Sequence, residues 1–217
     1  MVQRKNKNLF EKCVMKIARR IINQKYRLKN KNKEFTLIAQ NCVGGVIYNA
    51  LGLPFMSPTI NMFIEDENFV KLIENLEYYM SLPAEPLTDC YVDPINPNIK
   101  YPKIKIGDIE VCAIQKWEMR RRRVNFDNVY VIGNSWNCHE CPELIHRIVQ
   151  CKYPSVVFTY GDFNEENCIK LDHSIWHLDE RGVVRPDITS ECDRFGRKYY
   201  ETMFDFVEWI NCQGMRK

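Results

Sequence analysis

At 217 residues, 45% hydrophobic and 27% charged, the chain is long enough for one domain with a proper core and has the composition of an ordinary globular protein. No run reaches the ~18 apolar residues of a membrane-spanning helix, and the N-terminus lacks the apolar stretch and cleavage site of a secretory signal, so a cytoplasmic protein is expected, with membrane contact at most peripheral. The formal net charge of +3 conceals an asymmetry: residues 1–33 hold 12 Lys/Arg against the single acid Glu11, a balance of +11 that leaves the remaining chain at −8.

The expected organisation is a basic helical segment over 1–33 followed by a single α/β domain over 34–217. Leu9, Phe10, Cys13, Val14, Ile17, Ala18, Ile21 and Ile22 recur at helical spacing, with Lys12, Lys16, Arg19 and Arg20 on the other face. The expected arrangement packs the apolar face on the domain and leaves the basic face in water. Contact of residues 1–30 with an anionic membrane or a glycan synthase is the sharper alternative. Nucleic acid is disfavoured, because the basic run lacks interleaved aromatics and any binding module.

Phe35–Ala39 reads as a buried strand and Val46–Leu51 as its helix, joined by a turn at Gly44-Gly45. Thr59–Ile64 is expected to be a short strand or extended segment. Asp66 is placed to cap one helix whose Phe69, Leu72, Ile73, Leu76 and Met80 form an apolar face. The proline-rich span Ser81–Pro102 predicts a long irregular excursion with one edge strand near Cys90–Val92. A strand at Ile109–Cys112 precedes a helix over Ala113–Arg123. Asn128–Gly133 and Ser155–Tyr160 are clear strands, with a helix opening at Pro142 between them. A last helix spans Lys198–Asn211. Strands alternating with helices predict a three-layer α/β/α sandwich with a mostly parallel or mixed sheet, Rossmann-like in outline.

Ten cysteines in a chain with no secretory signal are expected to be reduced, with Cys13, Cys42, Cys112, Cys151 and Cys168 acting as small hydrophobes. Cys138, Cys141, His146 and Cys151 match the spacing of a zinc knuckle, but the intervening run has no glycine for the tight turns and looks helical, so no metal is assigned. Trp136–Pro142 resembles a thioredoxin-like redox turn, for which Pro186 is the only candidate cis-proline.

Two constellations remain. The turn after Cys42 sits at the carboxyl end of a strand, where α/β proteins present functional groups. Asn41, Gly44, Gly45 and Ser57 can supply polar contacts to a substrate there, and Cys42 can act as a nucleophile if a base such as His173 reaches it. Downstream, Trp117, Arg120 and Arg123 recur every third residue and can line one stripe that binds phosphate or carboxylate.

The runs NCVGG (Asn41–Gly45), LGLPFMSPTINMFI (Leu51–Ile64), NLEYYM (Asn75–Met80), KWEMRRRRVN (Lys116–Asn125) and FDFVEWIN (Phe204–Asn211) resemble an uncharacterised bacterial family. It is known as domain of unknown function nineteen-nineteen and often labelled "exopolysaccharide biosynthesis protein". KWEMRRRRVN matches its W-x-x-R-x-x-R-[IV]-N pattern. The histidine-containing segment that often precedes this pattern is replaced here by IEVCAIQ, which shifts any cysteine–histidine proposal onto His173.

The resemblance implies a role in surface-glycan synthesis. The leading expectation is therefore a transferase acting on a phosphorylated or nucleotide-linked sugar, with an anionic sugar phosphate as substrate and no cofactor assignable. The alternatives are a papain-like thiol hydrolase or acyltransferase using Cys42 and His173, and a non-enzymatic glycan- or partner-binding accessory protein.

Overall fold

The computed structural model describes residues 9–92, 98, 100–112, 116–135, 142–159, 161–171, 176–178, 184–186, 188–189 and 192–213. Its elements, in chain order, are α1 (Leu9–Lys29), β1 (Thr36–Ala39), α2 (Val43–Leu51), α3 (Asp66–Glu74), α4 (Leu76–Ser81), β2 (Glu85–Val92), β3 (Lys100–Ile106), β4 (Ile109–Cys112), α5 (Trp117–Arg121), β5 (Val129–Asn134), α6 (Pro142–Val149), β6 (Ser155–Thr159), β7 (Cys168–Lys170), β8 (Trp176–Leu178), β9 (Val184–Pro186), α7 (Tyr199–Met203) and α8 (Phe206–Gln213). The fold is mixed α/β, as expected. The chain divides into two compact units: Glu34–Gly45 with Pro54–Lys170, and Met1–Lys33 with Val46–Leu53 and Leu171–Lys217.

The first unit is built on a four-stranded sheet in the order β1-β5-β6-β7, with every pairing parallel. Each residue of β1, β5 and β6 is buried, which is why these strands read as continuous apolar runs rather than alternating ones. Helix α6 lies against β5 and β6, and α3 lies against α6 and β4. A bidentate pair from Arg147 to Glu74, at 2.8 and 2.6 Å, links α6 to α3. Ile38, Phe69, Ile73, Val131, Ile145 and Val157 belong to one buried cluster.

A second, antiparallel sheet runs β2-β3-β4. It occupies much of the span expected to be irregular. Prolines stand at positions 86 and 102, both paired in the ladder, and the register shifts between Pro86 and Cys90. Thr59–Ile64 is not a strand: it turns, and only Phe63 bridges Cys112. The single helix expected after Asp66 is two, broken at Asn75 (φ −128°, ψ 43°). Glu65, not Asp66, occupies the cap position, and Asp66 is buried in the first turn.

The other unit contains α1, most of α2, the β8–β9 antiparallel pair, α7 and α8. The expected final helix is interrupted at Phe204, whose backbone is extended. Arg19 of α1 makes a bidentate pair with Glu201 at 2.5 and 2.6 Å, the Glu201 side chain being fully buried. Asn211 of α8 closes the end of α1: its Nδ2 donates to the Lys29 carbonyl (3.0 Å) and its Oδ1 accepts from the Lys31 and Asn32 N–H groups (2.9 and 3.3 Å). Tyr26 meets Phe206 edge-on at 5.0 Å.

The expectation that the apolar face of α1 is packed is met only at Ala18 and Ile22, which are half-buried. None of its residues is buried, and Phe10, Val14, Ile17 and Ile21 are exposed. Among the described residues no helix is long and apolar enough to cross a membrane. The described cysteines are free: Cys13 and Cys42 are exposed and the others half-buried, with Cys151 and Cys168 packed against the core cluster as small hydrophobes.

Candidate functional site

The carboxyl edge of the parallel sheet carries a row of buried polar residues. Gln40 follows β1, Asn134 ends β5 with Ser135 next, and Thr159 ends β6. Gln40 is the clasp. Its Oε1 accepts from the Asn134 N–H at 3.0 Å, its Nε2 donates to Asp66 Oδ1, and its own N–H donates to the Ile132 carbonyl at 3.1 Å. One side chain thus fastens the ends of β1 and β5 to the first turn of α3. A buried amide with both ends satisfied is worth keeping, because leaving either end unmade costs about 1–3 kcal/mol. None of these polar residues was singled out from sequence as a site. Gln40 stood at the end of an apolar run, four residues before the expected turn at Gly44-Gly45.

At this edge Asn41 Oδ1 accepts from the Val43 N–H at 2.9 Å, which turns the chain from β1 into α2. Gly44 and Gly45 do not form an open turn. They lie in the first turn of α2 and are buried. A Cβ at Gly44 would stand 2.9 Å from the Ala39 Cβ and 3.3 Å from Ile60 Cδ1, and one at Gly45 would stand 2.6 Å from Asn61 Oδ1. The pair therefore permits close packing. Ser57 is fully buried, its hydroxyl 3.1 Å from Thr59 Oγ1, and Thr59 Oγ1 in turn accepts from the Ala39 N–H at 3.0 Å. Both hydroxyls hold the Ser57–Ile60 segment against β1.

Cys42 is exposed at the same corner. Partial desolvation nevertheless raises its thiol above the ordinary value, and a backbone hydrogen bond only partly offsets this. His173, the expected base, lies outside the described residues. So do Cys138 and Cys141 of the knuckle-like spacing. Of its other members, His146 Nδ1 lies 2.7 Å from Glu165 and the Cys151 thiol donates to the Tyr153 carbonyl. Among the described residues no cluster of His, Cys, Asp or Glu is arranged to hold a metal ion.

The arginine stripe is more informative. Trp117 and Arg120 are buried on the one-and-a-half turns of α5, at 3% and 7% exposure, while Arg123 follows in a turn and is exposed. Arg120 Nη1 donates to the Ile60 carbonyl at 2.9 Å, and its guanidinium lies over the Phe55 ring at 5.2 Å. Arg123 Nη1 reaches the Phe55 carbonyl at 3.5 Å. Among the described residues neither arginine has a carboxylate partner. Burial, and then the like charge of Arg123, hold the Arg120 pKa below its ordinary value. The Trp117 Nε1–H is buried with no acceptor among the described residues. Ile60 connects this stripe to the start of α2, since its carbonyl meets Arg120 and its side chain meets Gly44 and Gly45.

The last motif residue, Asn125, has a structural task. Its N–H donates to Thr36 Oγ1 at 2.8 Å and its Nδ2 to the Glu34 carbonyl at 2.7 Å, tying the end of the arginine run to the start of β1.

Fold and site together define an α/β protein with a parallel sheet whose polar carboxyl edge adjoins a pair of arginines without acidic partners among the described residues. The chain belongs to the family described as "Domain of unknown function (DUF1919)", whose model matches residues 13–211. It is also similar to an "Uncharacterized protein" of Haemophilus influenzae strain Rd, 28% identical over an alignment covering 94% of this chain and 98% of that one.

Proposed function

We propose that the protein is a transferase of exopolysaccharide or surface-glycan synthesis that acts on a phosphorylated or nucleotide-linked sugar. The observation that carries this is Arg120, a buried guanidinium with a second arginine beside it and, among the described residues, no carboxylate to neutralise either. An anionic ligand offsets that repulsion, and planar guanidinium groups suit phosphate oxygens. Arg120 and Arg123 would receive the phosphate, with the Trp117 Nε1–H as a further donor. Asn41 and the exposed Cys42, at the carboxyl end of β1, would line the sugar side. As the sugar's C1–O bond to the phosphate breaks and C1 bonds to an acceptor hydroxyl that gives up its proton to solvent, the charge left on the phosphate would be stabilised by both guanidinium groups. The surface-glycan class rests on the family resemblance. Cys42 as a nucleophile has less support, because a raised pKa leaves little thiolate at neutral pH.

The test is a thermal-shift and calorimetric titration of the full chain with inorganic phosphate, UDP and UDP-glucose, repeated on Arg123→Ala and Trp117→Phe. Saturable binding by the native chain, weakened about tenfold or more in Arg123→Ala, is expected for loss of one charge-assisted contact. Binding of phosphate but of neither nucleotide would remove the nucleotide-sugar assignment. No saturable binding of any of the three would overturn the site.

A further inference from the structure

Helix α1, the longest among the described residues, leaves its apolar stripe in water. Phe10, Val14, Ile17, Ile21 and Leu28 follow one another at steps of four, three, four and seven residues, so they share one face of α1. All five are exposed, Phe10 at 76% and Leu28 at 80%. A different face holds the helix in its own unit. Arg19 pairs with Glu201, Tyr26 meets Phe206, and a Cβ at Gly196 would come within 3.0 Å of Ala18. The exposed stripe spans about 27 Å at 1.5 Å per residue. Contiguous apolar faces of that extent mark interaction surfaces.

Charge selects the occupant. At 100° per residue, Arg20 borders the stripe on one side, with Lys16 one step further round, and Lys25 borders it on the other, all exposed. The residues before the helix add Arg4, Lys5 and Lys7, and Glu11 is the sole acid in 1–33. A second copy of α1 would bring these like charges together, and an uncharged apolar partner would leave them unmatched. An anionic lipid surface accepts both the apolar stripe and its basic borders. The helix does not qualify as a membrane span, so its place is in the plane of the interface.

We propose that α1 docks the protein on the surface of an anionic phospholipid bilayer. Phe10, Val14, Ile17, Ile21 and Leu28 enter the boundary between headgroups and acyl chains, and Lys16, Arg20 and Lys25 lie at the level of the lipid phosphates. This surface is independent of the arginine site described above. Each cation near such a membrane contributes about fivefold to binding.

The experiment is co-sedimentation of the full chain with phosphatidylcholine vesicles with and without phosphatidylglycerol, at low and high salt. Light scattering in solution reports oligomeric state in parallel. Binding to the anionic vesicles alone, reduced by salt, is expected. It should be lost in Ile17→Glu/Ile21→Glu, whose exposed positions leave folding intact by circular dichroism, and should fall more than tenfold in Lys16→Ser/Arg20→Ser. Absence of binding to anionic vesicles, or equal binding by Ile17→Glu/Ile21→Glu, overturns the proposal. A dimer that dissociates in that double variant, with no vesicle binding by the native chain, assigns the stripe to self-association instead.

Discussion

Arg120 Nη1 donates to the Ile60 carbonyl at 2.9 Å, joining two sequence motifs that lie 60 residues apart. One is the arginine run on α5 and the other is LGLPFMSPTI, whose Phe55 ring lies beneath the same guanidinium. Arg120 therefore has a structural load of its own. Replacing it with Met keeps most of the apolar stem but removes the donor and the cation. A loss of about 1–3 kcal/mol is expected in urea unfolding, whereas exposed Arg123→Ala should stay within about 0.5 kcal/mol. Equal stability losses at the two positions would contradict their different burial.

Gly44→Ala tests the close approach of Gly44 to the end of β1. Alanine is the better helix former by ~1 kcal/mol, so an unconstrained site would gain stability. Here the new methyl would meet the Ala39 Cβ at 2.9 Å, and a methyl on a strand backbone has little room to move. A net loss of about 1–3 kcal/mol is expected by chemical denaturation. Any gain would show that the start of α2 is looser than its packing indicates.

Arg19 and Glu201 form a pair whose acidic member is fully buried and also accepts from the Lys198 N–H and the Tyr200 hydroxyl. Arg19→Met strands that carboxylate and should cost about 3–5 kcal/mol. Arg19→Met combined with Glu201→Gln should recover part of the loss. A double-mutant cycle measures the coupling, and full additivity would deny the pair its role.

The raised thiol of Cys42 gives a pH-dependent expectation. With its pKa above the ordinary 9.0, the thiolate fraction at neutral pH is smaller than that of a free cysteine. Alkylation of Cys42 by iodoacetamide, followed by mass spectrometry, should be slower than that of the same residue in the urea-unfolded chain at neutral pH despite the exposure of the residue. It should accelerate as pH rises past 9. Fast modification at neutral pH would restore the nucleophile reading, and Cys42→Ala should leave phosphate binding unchanged.

The legible parts of the fold were those where one local signal suffices. β5 and β6 are apolar runs because both of their faces are covered, and Pro142 opens α6 where a missing N–H does no harm. The excursion after Ser81 was misread because its prolines suggested loop, yet Pro86 and Pro102 stand within the antiparallel ladder, with a register shift after Pro86. Asn75 and Phe204 break apolar patterns that continue on both sides of them, so periodicity alone ran the helices together.

For the site, the W-x-x-R-x-x-R spacing already placed Trp117, Arg120 and Arg123 together on the chain. It could not show that Arg120 is buried against Ile60 and Phe55 while Arg123 is exposed, because burial depends on what another segment brings to the helix. The glycine pair was visible but its purpose was not. Positive-φ turns and close packing both select glycine, and only the positions of Ala39, Ile60 and Asn61 decide for packing. Gln40 carried no signal at all, since a clasp between two strand ends has no sequence period.

The sequence by itself determined the α/β class, the parallel strands and the concentration of positive charge in the first 33 residues, because composition and periodicity are local properties. Tertiary structure alone decided which side of α1 faces water. An amphipathic helix has an apolar stripe whatever its neighbours, and whether that stripe is buried depends on which residues the rest of the unit grips. Here the grip falls on Arg19 and Tyr26, and the stripe is left open.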